Sequence, residues 1–467
     1  MKKKLLKLPV EVFKREYLSR LYLALKSADK GFQVIIGEDY EKVFSDNKGG
    51  VYLYKDFAGV SEERLMKQAK DGAVIAAFDE EGIIYLNEDV YLRNRVSSGL
   101  IKELDFVFLW GGSQKKTIQR KVDNDSNLFV TGSIKFDIYN LINKRKKRQD
   151  NNESFFFNKK IKILINTRFT FVNSLFENNG IQNLKKLGVI KDENDLKIYQ
   201  QMISSDYLIY KEFLKLIDCL GKDSSFEVVI RAHPAENFNA YAKFSEKYDN
   251  VSVDLQTDLI TQITSADFVI HDGCTTAIEA RALGVSVLGL RPKGLTGAYM
   301  DYANKYSLNF QSYNDLKNFL DSFKKNAPID SIKMPVVDDF VHDRVSNWGE
   351  SRATNSIVET FSSCNVDPVN IVHSQINFID LFFNRLIRFV MRYKDYRLMK
   401  IADFFLKYRL RDGIESRQRR DYKFPNFNLE SVTKDIDFLY TLDSDLPCRN
   451  SLVVEKLTEK SIIIYCK

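Results

Sequence analysis

The sequence predicts an α/β protein made of two Rossmann-like domains, each a doubly wound parallel sheet facing a shared cleft, plus a basic helical region. Three observations carry this. Short apolar runs alternate with stretches of helical spacing, as in βαβ units. The alternation lapses at a polar segment over residues 143–160 and restarts at 161. Beyond about residue 363 the strand pattern gives way to apolar residues at helical spacing, interleaved with Arg and Lys.

In the first half, "LLKLPV" (Leu5–Val10) and "FQVIIG" (Phe32–Gly37) read as buried strands. Between them "REYLSRLYLALKSADKG" has helical periodicity and ends at Gly31, a favourable C-cap. "VYLY" (Val51–Tyr54), "AVIAAF" (Ala73–Phe78), "DFVFLW" (Asp105–Trp110) and "LFVTG" (Leu128–Gly132) continue the strands. These define an N-terminal domain over 1–142. "NKRKKRQDNNESFFFNKK" (143–160) is charged and aperiodic and reads as a linker. The second domain, 161–335, has strands at "IKILINT", "FEVVI", "VSVDL", "DFVIH" and "VSVLGL", with helices such as "CTTAIEARALG" between them. A helix is expected over 336–362, and a basic helical tail over 363–467. Within the tail, 377–412 carries nine Arg and Lys from Arg385 to Arg411 among Phe, Leu, Ile and Met. Such a stretch suits an anionic membrane surface, or equally a helical hairpin packed on the body.

Composition excludes several classes. The 467 residues are 44% hydrophobic and 28% charged, ordinary for a globular chain. The net charge of +7 is too small an excess to imply nucleic acid. Five scattered cysteines without CxxC spacing argue against a disulfide framework or zinc site and for a reducing compartment. The start lacks the apolar core of a signal peptide, and no run of about 18 apolar residues is present. A cytoplasmic location is expected, or a peripheral one on the inner face of the membrane.

Ligands of doubly wound sheets bind beyond the carboxyl ends of the strands, and three stretches there carry chemistry. "AAFDEEGIIYL" places Asp79, Glu80 and Glu81 before Gly82. Crowded acids can raise one pKa and yield a general base; a polar turn is the plainer alternative. "VVIRAHPAENF" offers His233, held by Pro234, and Arg231 for a phosphate, with Glu236 as an acceptor for a base or sugar; a histidine satisfied in a loop is its alternative. "DFVIHDGCTTAIEARALG" turns at Gly273 into a helix whose first turn holds Thr275 and Thr276. That helix start suits a phosphate, and Glu279, four residues after Thr275, suits ribose hydroxyls; simple N-capping is the alternative. Together these describe a nucleotide donor site on the second domain and an acceptor site with a base on the first.

The stretches "LPVEVFKREYLSRLYLALKSADKGFQVIIG", "FDEEGIIYL", "VTGSIKFD", "ILINTRF", "IRAHPAE" and "IHDGCTTAIEARALGVSVLGLRP" resemble, in this order, the bacterial surface carbohydrate biosynthesis protein family. The likeness spans about Leu5 to Pro292 and omits the last hundred or so residues. It implies a GT-B type glycosyltransferase whose helix near 336–361 crosses back to the first domain. More distantly, the motifs are similar to those of bacterial sialyltransferases and Kdo transferases, which use CMP-activated acidic sugars. That similarity implies that Glu80 or Glu81 is the base. It implies that His233-Pro234 contacts the CMP phosphate and that Thr275 and Thr276 hold it. The chain reads "TGSIKFD" where most relatives read "GNP", with Ser133 in place of Asn; this segment is the expected hinge, with Asp137 a structural or catalytic acid within it.

The resulting expectation is metal-independent transfer of a sugar, from a CMP-linked donor and without a cofactor, to a glycan or lipid-linked acceptor in surface polysaccharide synthesis. The rivals are a transferase of polyol phosphate from a CDP-linked donor and a non-catalytic assembly component.

Overall fold

The computed structural model describes residues 3–83, 88–149, 160–175, 180–186, 189–296, 302–325, 332–336, 339–372 and 423–467. The basic stretch 377–412 lies outside them. Among the described residues no helix is long and apolar enough to cross a membrane.

The first sheet has the order β13-β14-β2-β1-β3-β4-β5-β6. Its parallel part comprises β1 (Lys4–Val10), β2 (Phe32–Glu38), β3 (Val51–Tyr54), β4 (Val74–Phe78), β5 (Phe106–Leu109) and β6 (Leu128–Val130). The second sheet is wholly parallel, with the order β12-β11-β10-β7-β8-β9. It comprises β7 (Ile161–Asn166), β8 (Phe226–Arg231), β9 (Val251–Val253), β10 (Phe268–His271), β11 (Ser286–Leu290) and β12 (Leu308–Phe310). The chain is therefore α/β with two Rossmann-type sheets, the plan of a GT-B-like fold. In each sheet the strand order reverses beside its first strand: between β1 and β3 in one, between β7 and β10 in the other. Those reversals open the crevices in which such sheets take ligands.

The strands form where apolar runs are buried on both faces, as expected of parallel sheets. Leu5, Leu6, Leu8 and Val10 of β1 are fully buried, as are Ile163, Leu164 and Ile165 of β7 or nearly so. One apolar cluster runs from Leu6 and Val34 through the helix Phe13–Asp29 to Ile278 and Val269 of the second half. The two halves thus share a core.

Two expectations change. The segment read as an aperiodic linker is helical up to Gln149, continuing the helix Ile134–Gln149. Its Lys and Arg side chains are favourable formers at the end of an existing helix, where propagation adds one bond per residue. The region assigned to a helical tail is, over 423–467, a helix (Leu429–Leu442) followed by a hairpin of β13 (Leu452–Thr458) and β14 (Ser461–Cys466). β14 pairs antiparallel with β2 and covers that edge of the first sheet. The β-branched run Ile462–Ile464, fully or almost fully buried, drives this.

The helix Ala353–Ser363 lies against the first sheet, with Phe361 edge-on to Phe108 at 5.6 Å. Asp137 begins this return. Its buried carboxylate accepts from the amides of Ala353 (3.2 Å) and Thr354 (2.6 Å), the Thr354 hydroxyl (2.6 Å) and Asn347 Nδ2 (2.7 Å). An acid so engaged caps a helix. Asp137→Ala should lower unfolding free energy by about 2–4 kcal/mol, because several buried donors lose their acceptor; urea denaturation checks this, and a loss under about 0.5 kcal/mol contradicts it.

Candidate active site

The C-terminal edges of the two sheets supply every candidate side chain. In the second domain β10, β7 and β8 are neighbours, so the segments that follow them lie side by side.

After β8, His233 begins a turn in which Glu236 N donates to its carbonyl (2.8 Å) and Ala235 N donates to Nδ1 (3.1 Å). With Nδ1 accepting, the neutral ring carries its proton on Nε2. Desolvation and the nearby Arg168 guanidinium hold the imidazole below its ordinary pKa. Pro234 is exposed and joined by a trans peptide bond. Glu236, expected to meet a base or sugar, is instead buried beneath the turn. It accepts from His233 N (3.1 Å), Thr167 Oγ1 (2.8 Å), Tyr241 OH (2.6 Å) and Asn173 Nδ2 (3.4 Å). Arg231, expected to support a phosphate, sends Nη1 to Thr257 O (2.8 Å) and Gln262 Oε1 (2.5 Å) and braces the loop after β9.

After β10, the His271 ring shapes the turn. Gly273 N donates to Nδ1 (2.8 Å), and Nε2 lies 2.6 Å from Ser307 Oγ. Burial, with Arg168 and Arg291 nearby, pushes this imidazole down to about 3, so it is neutral. Gly273 has φ of 107°, a region that side chains disfavour. The helix Thr275–Ala282 follows, with Thr275 exposed and Thr276 buried in its first turn. Glu279, one turn on, is half-buried and accepts from Tyr139 OH of the first half at 3.3 Å. Burial raises its pKa against the pull of Lys135, Tyr139, Arg231 and Arg15.

In the first domain the three acids separate. Asp79 is fully buried, accepting from Tyr91 OH (2.9 Å) and Glu81 N (3.1 Å) and paired with Arg95. Glu80 points inward between Arg20 and Lys135, each at 3.1 Å. Burial opposes its charge, but Lys135 and Arg20 outweigh that and hold it below the usual carboxylate range. Glu81 is half-exposed and pairs with Arg15 (2.5 Å) and Arg95 (3.1 Å). Its carboxyl also lies below the ordinary value, because the two guanidiniums outweigh burial. Gly82 ends the motif for want of space: a Cβ there would lie 2.3 Å from Gln114 Nε2. The motif thus presents one acid to the open side and locks two inside.

The two edges face each other. The Glu81 carboxylate is near enough to favour the charged form of His233. Lys14 Nζ reaches Leu255 O (3.0 Å) and Gln256 O (2.9 Å) of the second domain. Glu81 and His233 thus come within electrostatic reach of each other from the two halves and Glu279 meets Tyr139 of the first half, while Glu80 and Glu236 are held by their own buried partners. Residue-by-residue reading missed Arg168, Arg15 and Lys135. Arg168 sits just past β7 in "ILINTRF", where strand-end position was the available signal. Arg15 and Lys135 lie in helices and acquire their roles only from partners distant in sequence.

Among the described residues no group of three or more His, Cys, Asp or Glu is arranged to hold a metal ion. A shallow surface depression of about 420 Å³, lined by Leu214, Lys215, Asp218, Lys243, Phe244 and Lys247, contains none of the residues above. It has no strand-end position and no acid facing its lysines from a second domain, so the strand ends are the stronger candidate.

No family model matches this chain, and no curated protein matches its sequence. Solved structures match distantly. The UDP-GlcNAc 2-epimerase of Methanocaldococcus jannaschii is 12% identical, with 78% of this chain and 100% of that one covered and a TM-score of 0.46. The UDP-GlcNAc 2-epimerase of Neisseria meningitidis, bound to UDP-GlcNAc, is 12% identical over 77% and 99%, with a TM-score of 0.44. Anabaena HepE, in complex with UDP, is 11% identical over 77% and 100%, with a TM-score of 0.38. These likenesses concern chain path alone, and membership of the surface carbohydrate family stays a proposal.

The different settings of the two glutamates separate their roles. Glu80→Ala leaves Arg20 and Lys135 buried without their acid and should cost about 3–5 kcal/mol. Glu81→Ala removes partly solvated pairs and should cost within about 1 kcal/mol. Thermal or urea unfolding of both variants checks the contrast, and equal losses refute it.

Proposed function

We propose that the protein is a glycosyltransferase of bacterial surface polysaccharide synthesis, using a nucleotide-activated sugar, with a CMP-linked acidic sugar as donor. The observation that carries this is that an exposed acid of the first half, Glu81, lies within electrostatic reach of His233, whose turn after β8 is separated by β7 alone from the Thr275 helix start after β10. In the reaction, Glu81 takes the proton of an acceptor hydroxyl as its oxygen bonds to the anomeric carbon. The bond from that carbon to the phosphate oxygen breaks, and the nucleotide leaves with the electron pair. His233 Nε2–H and the first amides of the helix Thr275–Ala282 stabilise the charge gathering on the phosphate. Glu279 lies one turn further on and is assigned the ribose.

Glu81 is a weak base while Arg15 and Arg95 hold it. An acidic sugar offers those guanidiniums a second carboxylate, and sharing them raises the Glu81 pKa toward the working range. This gives a physical reason for an acidic donor. The basic stretch 377–412 is assigned to an anionic membrane surface carrying the acceptor.

Calorimetric titration with CMP, CDP, UMP, UDP and GDP is the direct test. Selective CMP binding, abolished in His233→Ala, supports this reading; preference for CDP or UDP replaces the donor, and no binding to any nucleotide overturns it. Glu81→Gln should retain CMP affinity and lose about 100-fold or more in turnover. A bound phosphate favours the imidazolium, so the His233 pKa is higher in the complex than in the free protein. Affinity for a CMP phosphodiester, whose own charge does not change in this range as that of CMP does, should therefore strengthen as pH falls through the pKa of the complex and level off below that of the free protein. A flat profile between about pH 5 and 8 would remove His233 from phosphate binding.

A further inference from the structure

Resting on the donor site above, we infer that Arg168 is an additional phosphate-contacting residue, set in place by the buried aspartates Asp206 and Asp272. The position comes first. Arg168 follows β7, the strand beside which the order of the second sheet reverses. The crevice of such a sheet lies outside the carboxyl ends of the strands at that reversal, here β7 and β10. Arg168 thus stands between the His233 turn after β8 and the Gly273 turn after β10.

The guanidinium is held by two elements. Arg168 Nε lies 3.1 Å from Asp272 Oδ1, and Nη2 lies 3.5 Å from Asp206 Oδ1. Nη2 also donates to Asp272 O at 3.4 Å. Both aspartates are fully buried, one at the end of β10 and the other within the helix Glu193–Gly221, whereas the Arg168 side chain keeps 14% exposure. Two carboxylates from two elements therefore hold a guanidinium whose side chain is still partly exposed. A guanidinium with its orientation set in advance binds a phosphate without further ordering.

Arg168 depresses the pKa of both His233 and His271. Burial is the larger cause in both rings and the Arg168 charge adds to it; an anion between Arg168 and His233 offsets that charge. Asp206, with its carboxyl raised to about 7 by burial, by Asp272 and by Glu236 against the pull of Arg168, also carries less than a full charge at neutral pH. An incoming phosphate accordingly meets less opposition than two aspartates would suggest.

The test is calorimetric titration of the full chain with CMP, UDP and inorganic pyrophosphate. The proteins are wild type, Arg168→Gln, Arg168→Lys and Asp206→Asn, each checked for fold by circular dichroism. Arg168→Gln should weaken each phosphate ligand about 10- to 100-fold, the size of a lost charge-assisted bond. Arg168→Lys keeps the charge and protects the fold if the glutamine variant fails to form; it should still lose about tenfold, because an ammonium cannot span both aspartates and a phosphate. Asp206→Asn, a change to a positioning residue, should weaken binding by less than Arg168→Gln. Wild-type affinity in Arg168→Lys together with Arg168→Gln overturns the inference and leaves the donor site standing. Binding of pyrophosphate but of no nucleotide, lost in Arg168→Gln, supports Arg168 and overturns the nucleotide reading. Failure of the wild type to bind any of the three overturns both.

Discussion

The ion pairs of Glu80 with Arg20 and Lys135 are the constraint on which the rest of the cleft depends. Glu80 belongs to the loop after β4, Arg20 to the helix Phe13–Asp29 and Lys135 to the helix Ile134–Gln149. All three side chains are buried or nearly so. Taking these charges out of water costs several kcal/mol per ion unless the partners stay close. The arrangement is therefore intolerant of slippage, and it fixes three elements at once. With Glu80 held inward, its neighbour Glu81 turns outward to Arg15 and Arg95. The open acid is a consequence of the closed one.

The same constraint reaches the second domain. Lys135 also acts on Glu279, and Tyr139, one turn along the same helix, donates to it. A helix that anchors the acid loop thus meets the helix start after β10. Asp137, between Lys135 and Tyr139, caps the return helix Ala353–Ser363. Three alternate residues of "KFDIY" therefore serve the acid loop, the return helix and the opposite domain. Relative movement of the halves has to disturb this helix.

Chemically the cleft is asymmetric. The first domain presents a carboxylate framed by arginines; the second presents a neutral histidine, small hydroxyls and a helix start. The two carboxylates that support the second side, Glu236 and Asp206, are buried below it rather than exposed within it. That leaves donors foremost on the side proposed for phosphate and an acid foremost on the side proposed for the acceptor.

The sequence by itself determined the two parallel sheets and the placing of chemistry at strand ends, because apolar runs of strand length and turn residues are local signals. It located β1 to β11, the Gly273 turn and the His233 turn. It did not reveal that 452–466 completes the first sheet, since pairing of β14 with β2 joins residues more than 400 positions apart. It named Glu80 and Glu81 together, Glu236 as a ligand contact, and Arg231 as a phosphate support. Tertiary structure decided that Glu80 and Glu236 are held by buried partners, that Arg231 braces the loop after β9, that Glu81 is exposed, and that Arg168 stands at the reversal between β7 and β10. Those assignments turn on which distant partner meets each charge and how deeply it is buried, and neither is written in the neighbouring residues.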